Sequence, residues 1–236
     1  MIPIKKNASP AILLEKQAIA RERGLNSKDA YDLLCHADKQ IILESLMQEQ
    51  GHLCAYCMRR IPDKRPLPEN IDPVSIEHWF PRNPTNHEER DQGLDYNNLL
   101  AVCSGNRGRR HTRHPRDFTC DAKRASQHPQ LTLNPCDPCS LKQIRYKENG
   151  EIFSDDLTIQ DDLNVKLNLN CVSEAVQLPH ARKKVLEALQ SQLPSDNDTE
   201  LLSYCREILE ILETETDPKT QYSGILIWWL RDYLGL

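Results

Sequence analysis

Cysteine is the first residue type in this sequence that asks for a chemical explanation. Nine stand at positions 35, 54, 57, 103, 120, 136, 139, 171 and 205. The opening stretch, MIPIKKNASP, has no apolar segment after its lysines, so no secretion signal is expected. An odd cysteine count in such a chain argues for thiols or metal ligands in a reducing cytosol rather than a disulfide framework. Cys54-Ala-Tyr-Cys57 follows a helical pattern and precedes a proline-rich stretch, whereas a thioredoxin-type redox pair follows a strand and opens a helix. Zinc takes four tetrahedral thiolate or imidazole ligands, so this knuckle needs two more. Cys103, closing LLAVC, and Cys120, in FTCDAKR, are best placed to complete a structural Zn²⁺ site of Cys54, Cys57, Cys103 and Cys120. His111 or His114, at H-x-x-H spacing, is the alternative to Cys120. Cys136-Asp-Pro-Cys139 reads as two unliganded loop thiols, with a second zinc as the alternative, and Cys35, Cys171 and Cys205 read as core residues.

Polar residues lie between these cysteines in a suggestive order. Glu77-His78 sits in SIEHWFPR, Asn97-Asn98 opens DYNNLLAVC, and Asn106 follows in CSGNRGRR. A hard divalent metal prefers oxygen ligands, which Glu77 and the Asn106 side-chain carbonyl supply. A histidine beside it titrates near neutral pH and can take the proton from an attacking water. Arg107, Arg109, Arg110, Arg113 and Arg116, with Lys123 beyond them, form a basic stretch suited to a phosphodiester backbone.

Taken together, CAYC, SIEHWFP, YNNLLAVCSGN and CDAKR resemble the zinc-stapled HNH endonucleases. The resemblance implies a ββα-metal (His-Me finger) core around one catalytic Mg²⁺ or Mn²⁺. His78 would be the general base, and Asn98 the central asparagine that pins the loop between the strands. Asn106 would fill the third position, and Glu77 the acidic metal ligand. Softer similarity runs through LNP at 133–135, IRYKENGEI, LNLN at 167–170 and the closing WWLRDYL. It is to the PtuB-type HNH component of Septu-type and retron-associated anti-phage systems, whose partner is PtuA, an ABC-type ATPase. That implies a cytoplasmic effector cutting DNA or RNA, in a complex with the ATPase and, in retron systems, a reverse transcriptase and its DNA. A zinc-ribbon nucleic-acid-binding or adaptor module without catalysis is the alternative: it keeps the cysteines and arginines but has no use for a Glu77, His78 and Asn106 cluster.

The elements that must position these residues can be read from pattern and charge. The expected fold class is α+β, in three regions. A helical arm covers 1–50, with Ser9-Pro10 as a helix start, Gly24 as its stop and a second helix running from Ser27 or Asp29 to Gly51. Prolines crowd 51–135, where only short strands survive, VSIEHWF at 74–80 and LLAVC at 99–103. Region 136–236 holds a hairpin turning at Asn149-Gly150 and helices over 180–193, 199–214 and 220–234. Residues 51–125 carry 13 basic and 10 acidic groups while 126–236 carry 10 and 18, so nucleic acid should meet the middle and a protein the acidic tail. The longest apolar run, GILIWWL, is far short of a membrane span.

Overall fold

The computed structural model describes residues 1–62, 67–69, 71–81, 92–108, 114–124, 130–174, 176–194 and 198–236. The chain is mixed α+β, with two small antiparallel sheets among helices. Helix α1 (Ala11–Arg23) starts after Pro10, whose fixed φ suits a helix entrance, and stops at Gly24 in the left-handed conformation. Ser9 does not cap it; its hydroxyl is buried without a partner. The second helical stretch is broken in two, α2 (Ser27–Tyr31) and α3 (His36–Glu49). Cys35 is extended there, and the Asp38 carboxylate accepts from its N–H at 3.0 Å, restarting the helix. Cys35 is therefore an exposed helix-start residue, not core.

Strand β1 (Val74–His78) pairs antiparallel with β2 (Leu99–Cys103), from Val74 opposite Cys103 to His78 opposite Leu99. All five β2 residues are buried. Its other edge is satisfied without a third strand. Gln50, just past α3, donates to Ala101 O and accepts from Ala101 N, both at 2.8 Å, and Ala55 N donates to the same carbonyl at 3.1 Å. Buried backbone polar groups must be paired, so one glutamine and the knuckle do the work of a neighbouring strand. Helix α3 packs on this hairpin, and the short helix α4 (Cys120–Arg124) packs on β2.

The rest of the chain wraps this centre. After α5 (Pro138–Leu141), β3 (Arg145–Tyr146) and β4 (Ile152–Phe153) form the hairpin around Asn149-Gly150, with Gly150 at φ +86° against Pro179 O. Helix α6 (Leu157–Asp161) runs into a wider π-type turn at Asp162–Lys166. Helices α7 (Leu178–Gln190), α8 (Asp198–Thr214) and α9 (Ser223–Leu234) complete the fold. Tyr222 N donates to Met58 O at 3.1 Å and Lys219 N to Gly51 O at 3.0 Å, seating α9 behind the cysteine knuckle. Buried Arg182 of α7 donates to Gly150 O, Leu169 O and the Asn170 side chain, joining hairpin, loop and helix. One apolar cluster runs from Met1 to Leu230, so the three regions share a core. Among the described residues no helix is long and apolar enough to cross a membrane.

Candidate metal centre and active site

Four cysteines meet where the knuckle, the end of β2 and the start of α4 converge. Cys54, Cys57, Cys103 and Cys120 are all buried, and their sulfurs lie within 4.8 Å of one another. Three pairs stand at 3.8–3.9 Å: Cys54–Cys120, Cys57–Cys103 and Cys103–Cys120. Tetrahedral Zn–S bonds of about 2.3 Å put sulfurs about 3.8 Å apart, so the spacing fits a structural ion such as zinc. Hydrogen bonding from Cys120, then Cys54 and Cys57, holds the Cys103 thiol well below its ordinary pKa. Burial disfavours the nearby Arg59 cation, but the charge of Cys57, Cys103 and Cys120 outweighs this and raises its pKa. A guanidinium beside the cluster offsets the excess negative charge of four thiolates.

His111 lies outside the described residues, and His114 is exposed. Among the described residues the four cysteines are the only such metal-holding group; Cys136 is half-buried and Cys139 exposed. Cys171 and Cys205 are buried.

Glu77 and His78 are neighbours on β1, and successive strand side chains leave opposite faces. Glu77 points toward α4. Its carboxylate pairs with the Arg124 guanidinium and accepts from Tyr56 Oη at 3.3 Å, and Arg124 also donates to Tyr56 Oη at 3.1 Å. Glu77 and Arg124 are almost fully buried. Burial, with the adjacent Asp121 carboxylate second, pushes the Glu77 pKa well above the usual range against the opposing pull of Arg124. Asp121 places one oxygen 3.7 Å from Arg107 and leaves Oδ1 buried with no hydrogen-bond partner. Two carboxylates side by side, one with an oxygen that lacks a hydrogen-bond partner, make a hard-oxygen pair already engaged by the Arg124 guanidinium.

His78 faces the other way. Its ring meets the Tyr31 ring of α2 edge-on at 4.6 Å between centroids, and Nε2 lies 2.9 Å from Gly93 O. A carbonyl can only accept, so Nε2 is the donor in this contact. Asn98 stands one residue before β2 and clamps the inter-strand connection. Its Oδ1 accepts from Phe80 N at 2.7 Å, while Nδ2 donates to Phe80 O at 3.0 Å and Gln92 O at 3.1 Å.

Asn106 is held in the turn into α4, whereas Glu77 and His78 lie on β1. Asn106 is fully buried with φ +74°. Its Oδ1 accepts from Arg59 at 3.1 Å, and its amide donates to Asp117 O at 2.9 Å and to Thr119 Oγ1 at 3.4 Å. The hairpin register explains this. Asn106 follows Cys103, which faces Val74, whereas His78 lies four residues further, about 13 Å along an extended strand. Asn106 braces the turn into α4, and the carboxylate that meets Glu77 belongs to Asp121.

Sequence reasoning missed Asp121, Arg124 and Tyr56. The signal was in CDAKR: a helix opening at Cys120 puts Asp121 and Arg124 one turn apart, beside the strand that carries Glu77. Of the basic stretch, Arg107 pairs with Asp121, Arg116 is exposed and Lys123 is half-buried. Arg109, Arg110 and Arg113 lie outside the described residues.

No protein-family model and no curated protein matches this chain. The functional reading rests on the residues themselves.

Proposed function

We propose that the protein is a divalent-metal-dependent HNH-type endonuclease that hydrolyses phosphodiester bonds in DNA or RNA. One observation carries the reading: a ββ hairpin followed by a short helix is stapled by the four cysteines, and this sets Glu77 of β1 against Asp121 of α4. Glu77 and Asp121 would hold the Mg²⁺ or Mn²⁺, which when bound supplies positive charge for the phosphate and its leaving oxygen. Arg124, which pairs with Glu77, would compete with a bound metal for that carboxylate.

By its place in the HNH-like pattern His78 is the proposed general base, although its ring leaves β1 on the face opposite the Glu77–Asp121 pair. The Gly93 carbonyl orients Nε2 and Tyr31 packs edge-on against the ring, which holds its plane for the proposed proton transfer. Asn98 acts through position rather than chemistry: its three hydrogen bonds fix Phe80 and Gln92, the two described ends of the connection that carries Gly93. A structural metal held by the four cysteines would fix α4 relative to β2, and with it the spacing of Asp121 from Glu77. The resemblance to PtuB-type proteins makes this nuclease the effector of a cytoplasmic anti-phage complex with an ABC-type ATPase.

A second reading has an observation in its favour. Glu77 is neutralised by Arg124, and Glu77, Arg124 and His78 are all buried, which suits a structural ion-pair network in a non-catalytic nucleic-acid-binding module. Incubating purified protein with nucleic acid and Mn²⁺, beside a His78→Ala control, separates the two. The nuclease reading expects metal-dependent cleavage that the control lacks.

A further inference from the structure

A cavity lies at the junction of the segment leading into α4 and the loop after the π-type turn. It measures about 910 Å³ and is lined by His114, Arg116, Asp117, Asn168, Val172 and Ser173, among others. Its two walls are locked together. Asn168 Nδ2 donates to Arg116 O at 2.8 Å and to Phe118 O at 2.9 Å, and Cys120 N donates to Leu167 O at 2.8 Å. The same Cys120 is a candidate zinc ligand, and Asp121 follows it. The cavity is therefore fixed rigidly beside the helix that carries the proposed metal ligand.

The chemistry of the lining selects a ligand. His114 and Arg116 are exposed, and Arg116 supplies a cationic donor. The lining also carries the Asp117 and Glu174 carboxylates, the Asn168 side-chain carbonyl and the Ser173 hydroxyl. Val172 adds an apolar side chain that is 70% exposed although it packs into no core. A phosphate alone would be repelled by Asp117, and an apolar ligand would leave the polar groups desolvated. A heteroaromatic base meets both demands: it has a flat apolar face, donors and acceptors along its edge, and a phosphate trailing outside. The volume lies within the range of small-molecule sites.

We infer that this cavity receives an unpaired nucleotide of the nucleic-acid ligand, with the base inside and its phosphate on Arg116 and His114. The inference rests on the reading that nucleic acid is the ligand, and it commits to a single-stranded or unstacked region, because a paired base cannot enter a cavity.

The test is fluorescence anisotropy of full-length, zinc-loaded protein without added Mg²⁺ or Mn²⁺. The probes are labelled 12-nucleotide single-stranded DNA and RNA and a 12-base-pair DNA duplex. Arg116→Glu and Val172→Glu both change exposed side chains, and zinc content and melting temperature check that each remains folded. Each should weaken single-strand binding about tenfold, in keeping with loss of one stacked base or one phosphate contact, and duplex binding less than about twofold. The DNA and RNA arms show which strand the cavity takes. Single-strand binding equal to wild type in both variants, or equal losses on the duplex, overturns the cavity proposal and leaves the nuclease reading standing. If the wild type binds no nucleic acid at all, the proposed function falls with it.

Discussion

The Glu77 carboxylate of β1 and the Arg124 guanidinium of α4 form a buried ion pair across the face of the hairpin, with the Tyr56 hydroxyl bonded to both. Tyr56 lies inside the Cys54–Cys57 knuckle, so the zinc candidate and the carboxylate site share one short peptide. The staple and the site are mechanically a single unit.

That coupling sets the expected cost of breaking the pair. Glu77→Gln leaves the Arg124 cation buried without its counter-charge and should lower stability by about 3–5 kcal/mol. Adding Arg124→Gln to it should recover much of the loss, because both charges are then gone. Urea denaturation of the two single variants and the double variant measures this; a double variant no better than the sum of the singles contradicts the pairing.

Purified protein should carry about one zinc per chain, released only by strong chelators. Cys54→Ser or Cys103→Ser removes a ligand from a region with little apolar area of its own and should yield insoluble or unfolded protein. Elemental analysis of soluble wild-type protein is the check, and folded protein without zinc contradicts the assignment.

Asp121→Asn keeps the shape of the side chain but removes its charge. It should raise the Mn²⁺ concentration needed for half-maximal cleavage at least about tenfold, the lower end of what loss of a coordinating or supporting group costs a metal site. Asn106→Ala should instead act on stability, by about 1–3 kcal/mol, since its removal strands the buried Arg59 donor. A metal titration together with a denaturation curve distinguishes the two residues; reversed effects would restore Asn106 as the ligand.

Partner binding is expected on the outer side of α9. Trp229 and Tyr233 stack at 5.2 Å between ring centroids, and Tyr233 is 44% exposed, whereas Ile225 and Leu230 are fully buried. Deleting α9 would strip the core, so the informative variant is Trp229→Ala with Tyr233→Ala. It should fold and lose co-purification with the proposed ABC-type ATPase, because aromatic anchors dominate interfaces. Unchanged co-purification places the contact elsewhere.

Elements with a strong local pattern were legible in the sequence. LLAVC is a strand because it is buried on both faces, and Asn149-Gly150 turns the hairpin. The cysteine cluster was legible because ligand spacing is local chemistry. The break between α2 and α3 was not, since the pattern reads through Leu33-Leu34 and only the Asp38 cap on Cys35 marks the restart. Helix α4 was hidden for a different reason. Its five residues have no pattern of their own, and the Leu167 carbonyl and the cysteine cluster set where it begins.

The central claim is that His78 is the base of a metal-dependent phosphodiesterase, and single-turnover cleavage with saturating Mn²⁺ tests it most directly. His78→Ala should keep its zinc and its fold yet cleave at least about 10²-fold more slowly than wild type. A variant that cleaves at the wild-type rate, or a wild type that cleaves no nucleic acid with Mg²⁺ or Mn²⁺, contradicts the account.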